Sequence, residues 1–167
     1  MTISGEKEAR MKIVKIKRGF PYFGTKVPFD KTISQIKEML KRFGSDKIAE
    51  MDDSNTGKRI LAFTNKGKSY LIEFPETFIE VGQRYQKKME SRPDIGARII
   101  HDRIKALLIS VELEFLEFDQ AMLPYLLVQG LNGRPTTLEE RIGELKGTVD
   151  HLFLPLMEEA KSQPRRD

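Results

Sequence analysis

Four carboxylates lie within eight residues of one another: Glu112, Glu114, Glu117 and Asp119. On a helix, Glu114 and Glu117 share a face, as do Glu112 and Asp119 seven positions apart. Paired carboxylates can hold Mg²⁺, or divide acid and base roles when their surroundings push their pKa values apart. A metal-dependent nuclease using Glu112, Glu114 and Glu117 is the one enzymatic reading these residues offer. The simpler reading, which we favour, is the wet side of an amphipathic helix. The two histidines, His101 and His151, stand in no Glu-x-x-His or His-x-x-x-His pattern, the spacing a helical metal site uses. His101 sits among charged neighbours, which predicts a solvated position. There is no cysteine, which excludes a thiol nucleophile, a disulfide scaffold and a cysteine zinc site. Phosphate-cradling glycine loops and a Gly-x-Ser-x-Gly elbow are also missing from the sequence. No enzyme activity and no cofactor is therefore expected.

The stretch from Lys12 to Phe29 offers a different chemistry. Lys12, Lys15, Lys17, Arg18 and Lys26 surround Phe20, Tyr22, Phe23 and Phe29. Cations that neutralise phosphates, interleaved with rings that stack bases, suit single-stranded nucleic acid. The predicted nucleic-acid-binding residues are Lys12, Lys15, Lys17, Arg18, Phe20, Tyr22 and Lys26. The competing use of the rings is core packing. Arg18-Gly19-Phe20 matches the opening of an RNA-recognition motif, but Pro21 breaks it and the strand order is wrong for that fold.

Charge is unevenly spread. The net charge is +4, yet residues 1–47 carry 12 Lys/Arg against 5 Asp/Glu, while residues 112–159 carry 3 against 10. A basic end of this kind can meet phosphates; solvated charged faces at both ends would leave the same imbalance. The 167 residues fit one domain with its own core. No run is apolar and long enough to span a membrane, and the first residues lack the apolar run of a signal peptide. A cytoplasmic protein is expected.

These residues need elements to position them, and the pattern predicts an α+β fold: a small antiparallel sheet with one packed helix, then a helical carboxyl-terminal half. Residues 1–10 and 161–167 are expected to be flexible tails. A lysine-rich strand over 12–17 and a second strand through Tyr22–Val27 come first. Thr32 and Gln35 form a capping box opening a helix with Ile33, Ile36, Met39, Leu40 and Phe43 on one face, and Gly44 ends it. A three-strand meander follows: Lys47–Met51, Lys58–Thr64 and Ser69–Phe74, with Asn65-Lys66-Gly67 as a hairpin turn. Beyond Pro75 the spacing of Phe78, Val81, Tyr85 and Met89 predicts a helix, and Pro93 opens a long one that bends or stops near Pro124. Thr137 and Glu140 cap a last helix.

Three phrases, Gly19-Phe20-Pro21-Tyr22-Phe23-Gly24-Thr25-Lys26, Lys31-Thr32-Ile33-Ser34-Gln35-Ile36 and Phe118-Asp119-Gln120-Ala121-Met122-Leu123-Pro124-Tyr125, together resemble small proteins encoded in phages and prophages. The resemblance spans residues 11–140. It brings no established activity, and implies either a nucleic-acid accessory protein or a protein that binds a host protein. The first function expected is thus non-enzymatic nucleic-acid binding. The alternative is a protein–protein interaction module, a regulator or inhibitor, acting through the long helix. That helix carries more apolar surface than so small a sheet can cover, so a homo-oligomer is expected, most simply a two-fold dimer with the long helices packed together. Its interface is assigned to Leu113, Phe115, Leu116 and Phe118. A carboxyl-terminal helix folding back over the same surface is the competing arrangement.

Overall fold

The computed structural model describes residues 14–53, 58–82, 86–129 and 133–143. Lys12, Tyr85, His151 and both expected tails lie outside these residues. The chain is α+β. Strand β1 (Val14–Ile16) leads through a run of turns to helix α1 (Phe29–Arg42), and β2 (Asp46–Asp53), β3 (Lys58–Asn65) and β4 (Lys68–Phe74) form the expected meander. Then come β5 (Thr77–Val81), β6 (Lys88–Ser91), α2 (Pro93–Glu112), the single turn α3 (Phe118–Ala121), a 3₁₀ turn over Leu123–Tyr125, and the hairpin β7 (Leu127–Gln129) and β8 (Pro135–Thr137). Residues 138–143 are helical.

The meander is antiparallel, and β3 and β4 pair from Arg59 opposite Phe74 to Asn65 opposite Lys68. Lys66 and Gly67, at φ 48° and 78°, form the two-residue connection. Two successive left-handed residues match the right-handed twist of the strands, which is why Lys-Gly suffices here. The inner face of this sheet presents Leu61, Phe63, Tyr70, Ile72 and Phe74, all buried. Ile33, Ile36 and Leu40 of α1 and Ala97, Ile104 and Leu108 of α2 pack against it as one core. Phe118 and Met122 close the end of that core, with Phe118 edge-on to Tyr70 and stacked near Phe43.

Three small sheets are present rather than one. In the second, β5 pairs in parallel with β1 and antiparallel with β6. Phe78 and Val81 are therefore strand residues, as is Met89, and the helix expected after Pro75 is not formed. Apolar spacings of three and four suited a helix, but pairing with β1 places Ile79 against Ile16 and Ile95 in a second small core. Thr77 joins this sheet to α2: its hydroxyl donates to the Arg92 carbonyl and accepts from the Gly96 amide at 3.2 Å. The strand expected over Tyr22–Val27 is likewise absent, its place taken by hydrogen-bonded turns from Lys17 to Thr25.

Helix ends differ from expectation in instructive ways. α1 begins one turn early, after Pro28, and Thr32 donates back to the Pro28 carbonyl inside the helix instead of capping it. Its end is as expected: Gly44 at φ 82°, with Gly44 N–H bonded to Lys41 O and Ser45 N–H to Leu40 O, a Schellman closure. α2 stops at Glu112, well before Pro124. The same pair of bonds closes it, Glu114 N–H to Val111 O and Phe115 N–H to Ser110 O, but the left-handed residue is Glu114 at φ 59°. Thr137 and Glu140 do form the expected reciprocal cap, at 3.3 and 3.1 Å.

Candidate functional site

The basic stretch separates into two populations. Lys17, Arg18, Phe20 and Lys26 are exposed on the turns between β1 and α1, and Phe20 is 44% accessible. Among the described residues, none of these three cations takes part in an ion pair. Lys15 is exposed but pairs with Glu80 across the β1–β5 ladder at 3.4 Å. The other rings turn inward. Phe23 packs on the second core. Phe29 packs edge-on to Phe74 in the main core, with the Arg59 guanidinium 4.3 Å from its centroid. Tyr22, at φ 70°, sends its hydroxyl to the Asp102 carboxylate of α2. A base-stacking row is therefore reduced to one exposed ring.

Asp102 is the hub of a cluster the sequence did not reveal. Besides Tyr22, it meets His101 Nδ1 at 2.6 Å and Arg98 at 3.6 Å. Burial acts to raise its pKa, but the Tyr22 hydroxyl, His101 and Arg98 together outweigh burial and hold the carboxyl below its ordinary value. The bond to Asp102, with burial, pushes the Tyr22 hydroxyl up. His101 is buried, so the solvated position expected from its charged neighbours is corrected. The cluster pins the basic turns to α2, a positioning role.

The acids do not converge. Glu112, Glu114 and Glu117 are exposed, whereas Asp119 is engaged by Lys68 and by the Tyr70 hydroxyl, the latter at 2.9 Å. Lys68 and then Tyr70 hold the Asp119 carboxyl below its ordinary value. Burial and this bond push the Tyr70 hydroxyl up to about 12. No group of three or more metal-ligating side chains occurs among the described residues.

The end of α2 carries the most conspicuous surface. Ile109, Leu113, Phe115 and Leu116 are 43, 56, 76 and 37% accessible. Phe118, expected to belong with them, is instead a core residue at 7%. The left-handed residue Glu114 ends α2 between Leu113 and Phe115, both exposed, and the chain re-enters the core at Phe118. Beside it runs a groove of about 370 Å³ between α1 and α2, lined by Met39, Arg42, Phe43, Lys105, Leu108, Ile109 and Glu112. The groove was not anticipated. Its signal lay in Lys105, Ile109 and Glu112, spaced i, i+4, i+7, which set one apolar residue on an otherwise charged helix face. A separate depression of about 180 Å³ is lined by Leu123, Pro124, Leu138 and Ile142, with Arg103 and Glu139.

No helix among the described residues is long and apolar enough to cross a membrane. Comparison with protein-family models, with curated proteins and with solved structures finds no match to this chain.

Proposed function

We propose that this protein is a non-enzymatic protein–protein interaction module whose contact surface is the carboxyl end of α2. The observation that carries the reading is Phe115, a large apolar side chain 76% accessible on a turn closed by backbone hydrogen bonds. Aromatic anchors of this kind dominate binding energy at protein interfaces. Leu113, Leu116 and Ile109, close to it in the chain, are also exposed, and exposed apolar patches mark interaction sites. The protein partner is either a second copy or another protein, such as the host protein that the phage resemblance suggests. The test is the size of the native complex in gently lysed producing cells. The wild-type chain should elute well above its 19.3 kDa mass and Phe115→Ser should elute lower; identical profiles for the two overturn the reading.

Nucleic-acid binding stands as the second reading, because Lys17, Arg18, Lys26 and Phe20 are exposed on the turns between β1 and α1, cations with a single ring to stack a base. Replacing Lys17, Arg18 and Lys26 together with glutamine should weaken binding to a single-stranded oligonucleotide and flatten its salt dependence. Unchanged affinity and slope in the folded variant reject those turns as the site.

A further inference from the structure

We infer that the partner at the end of α2 is a second copy of this chain, docked about a two-fold axis so that Phe115 of each copy fills the α1–α2 groove of the other. The inference rests on the interaction-module reading and names its partner.

Two features of one chain complement each other. The protrusion is apolar at its tip and acidic at its collar, since Glu114 and Glu117 flank Phe115 and Leu116 and are exposed. The groove is lined by apolar Met39, Phe43, Leu108 and Ile109, and carries two cations, Arg42 and Lys105, against one carboxylate, Glu112. Neither Arg42, Lys105 nor Glu114 takes part in an ion pair among the described residues. Complementary potentials of this kind fix register and reject wrong partners. A groove of about 370 Å³ offers room for a side chain of phenylalanine's size.

Placement decides the symmetry. Ile109 belongs both to the exposed apolar surface at the end of α2 and to the lining of the groove. Protrusion and groove are therefore side by side, and one partner can engage both. An antiparallel two-fold packing of the α2 ends does so reciprocally: the tip of each copy meets the groove of the other, and Lys105 faces the Glu114–Glu117 collar. Such an interface is isologous and closes at two copies.

Sedimentation of the purified full-length chain from about 1 to about 100 µM, the range that resolves micromolar affinity, tests the proposal. The mass should rise with concentration to twice that of the chain and stop there. Phe115→Ser, folded by circular dichroism, should weaken association by about 30-fold or more, as loss of a buried aromatic anchor does. Lys105→Glu and Glu114→Lys should each weaken it by about tenfold, and the double variant should recover most of the loss. A mass of one chain throughout overturns the proposal, as does a dimer indifferent to Phe115→Ser, or a double variant no better than either single one. If the purified chain is monomeric while the native complex still shrinks on Phe115→Ser, the partner is another protein and the interaction-module reading survives. If neither changes, both fall.

Discussion

Phe115 and Phe118 are three residues apart, and replacing each with alanine should have very unequal consequences for stability. Phe118 is 7% accessible, its ring 5.9 Å from Tyr70 at 88° and 6.5 Å from Phe43 at 29°. Truncating a buried phenylalanine costs about 3–5 kcal/mol through lost burial and the cavity left behind. Aromatic pairs of this geometry contribute roughly 0.5–1.5 kcal/mol beyond area, which places Phe118→Ala at about 4 kcal/mol. With a urea m-value of about 2 kcal/mol/M, the unfolding midpoint should fall by about 2 M. Phe115 is 76% accessible, so Phe115→Ala should stay within about 0.5 kcal/mol of wild type. The assay is urea unfolding followed by circular dichroism, at a concentration where both proteins sediment as single chains, so that association adds nothing to the wild type. Equal losses for the two variants would refute the assignment of one ring to the core and the other to the surface.

Other expectations follow from single contacts. A Cβ at Gly96 would lie 2.5 Å from the Pro75 carbonyl oxygen, so Gly96→Ala should destabilise the protein by about 2 kcal/mol or more despite its better helix propensity, read as a lower midpoint. Glu114→Gly should stabilise the monomer by about 1 kcal/mol, because glycine adopts the left-handed backbone at φ 59° without the cost a side chain incurs; a drop in thermal midpoint would contradict the closure described. Tyr70 should ionise only near pH 12, seen at 295 nm as a late tyrosine missing from Tyr70→Phe. Its folded pKa lies above the unfolded one, so the stability it adds is complete below about pH 10 and lost as the pH rises toward 12. For Asp119 the sign is reversed. Its folded pKa is depressed, so its contribution is complete above about pH 4 and lost as the pH falls through the folded value; Asp119→Asn should unfold less steeply with acid.

Much of the architecture was legible where local chemistry and tertiary context agree. The Lys66-Gly67 turn, the Gly44 closure and the Thr137–Glu140 cap each depend on backbone needs that particular residue types meet. Elsewhere local signals competed. Thr32 and Gln35 have the spacing of a cap, yet Phe29 adds a turn of helix by packing on Phe74, and Gln35 instead accepts from Arg98 at 2.9 Å. Phe78, Val81 and Met89 have helical spacing, and only the distant strand β1 makes β5 and β6 the better arrangement. The end of α2 was hidden because its left-handed residue is a glutamate. Read as continuous helix, Phe115 and Phe118 fall in one set; with the left-handed Glu114 ending α2 before them, one is exposed and the other buried. The candidate site was thus half legible. Leu113, Phe115 and Leu116 stood out by composition; the groove beside them left only Lys105, Ile109 and Glu112 as a local trace, because its other wall, Met39, Arg42 and Phe43, depends on how α1 crosses α2.

The central claim, that Phe115 rather than the basic turn meets the partner, is tested most directly by photo-crosslinking in producing cells. Benzoylphenylalanine is placed at position 115 in one strain and at position 20 in another, both exposed phenylalanines, and the adducts are identified after irradiation. A protein adduct from position 115, with position 20 giving none, is the predicted result. Nucleic acid attached at position 20 with nothing attached at position 115 would contradict it.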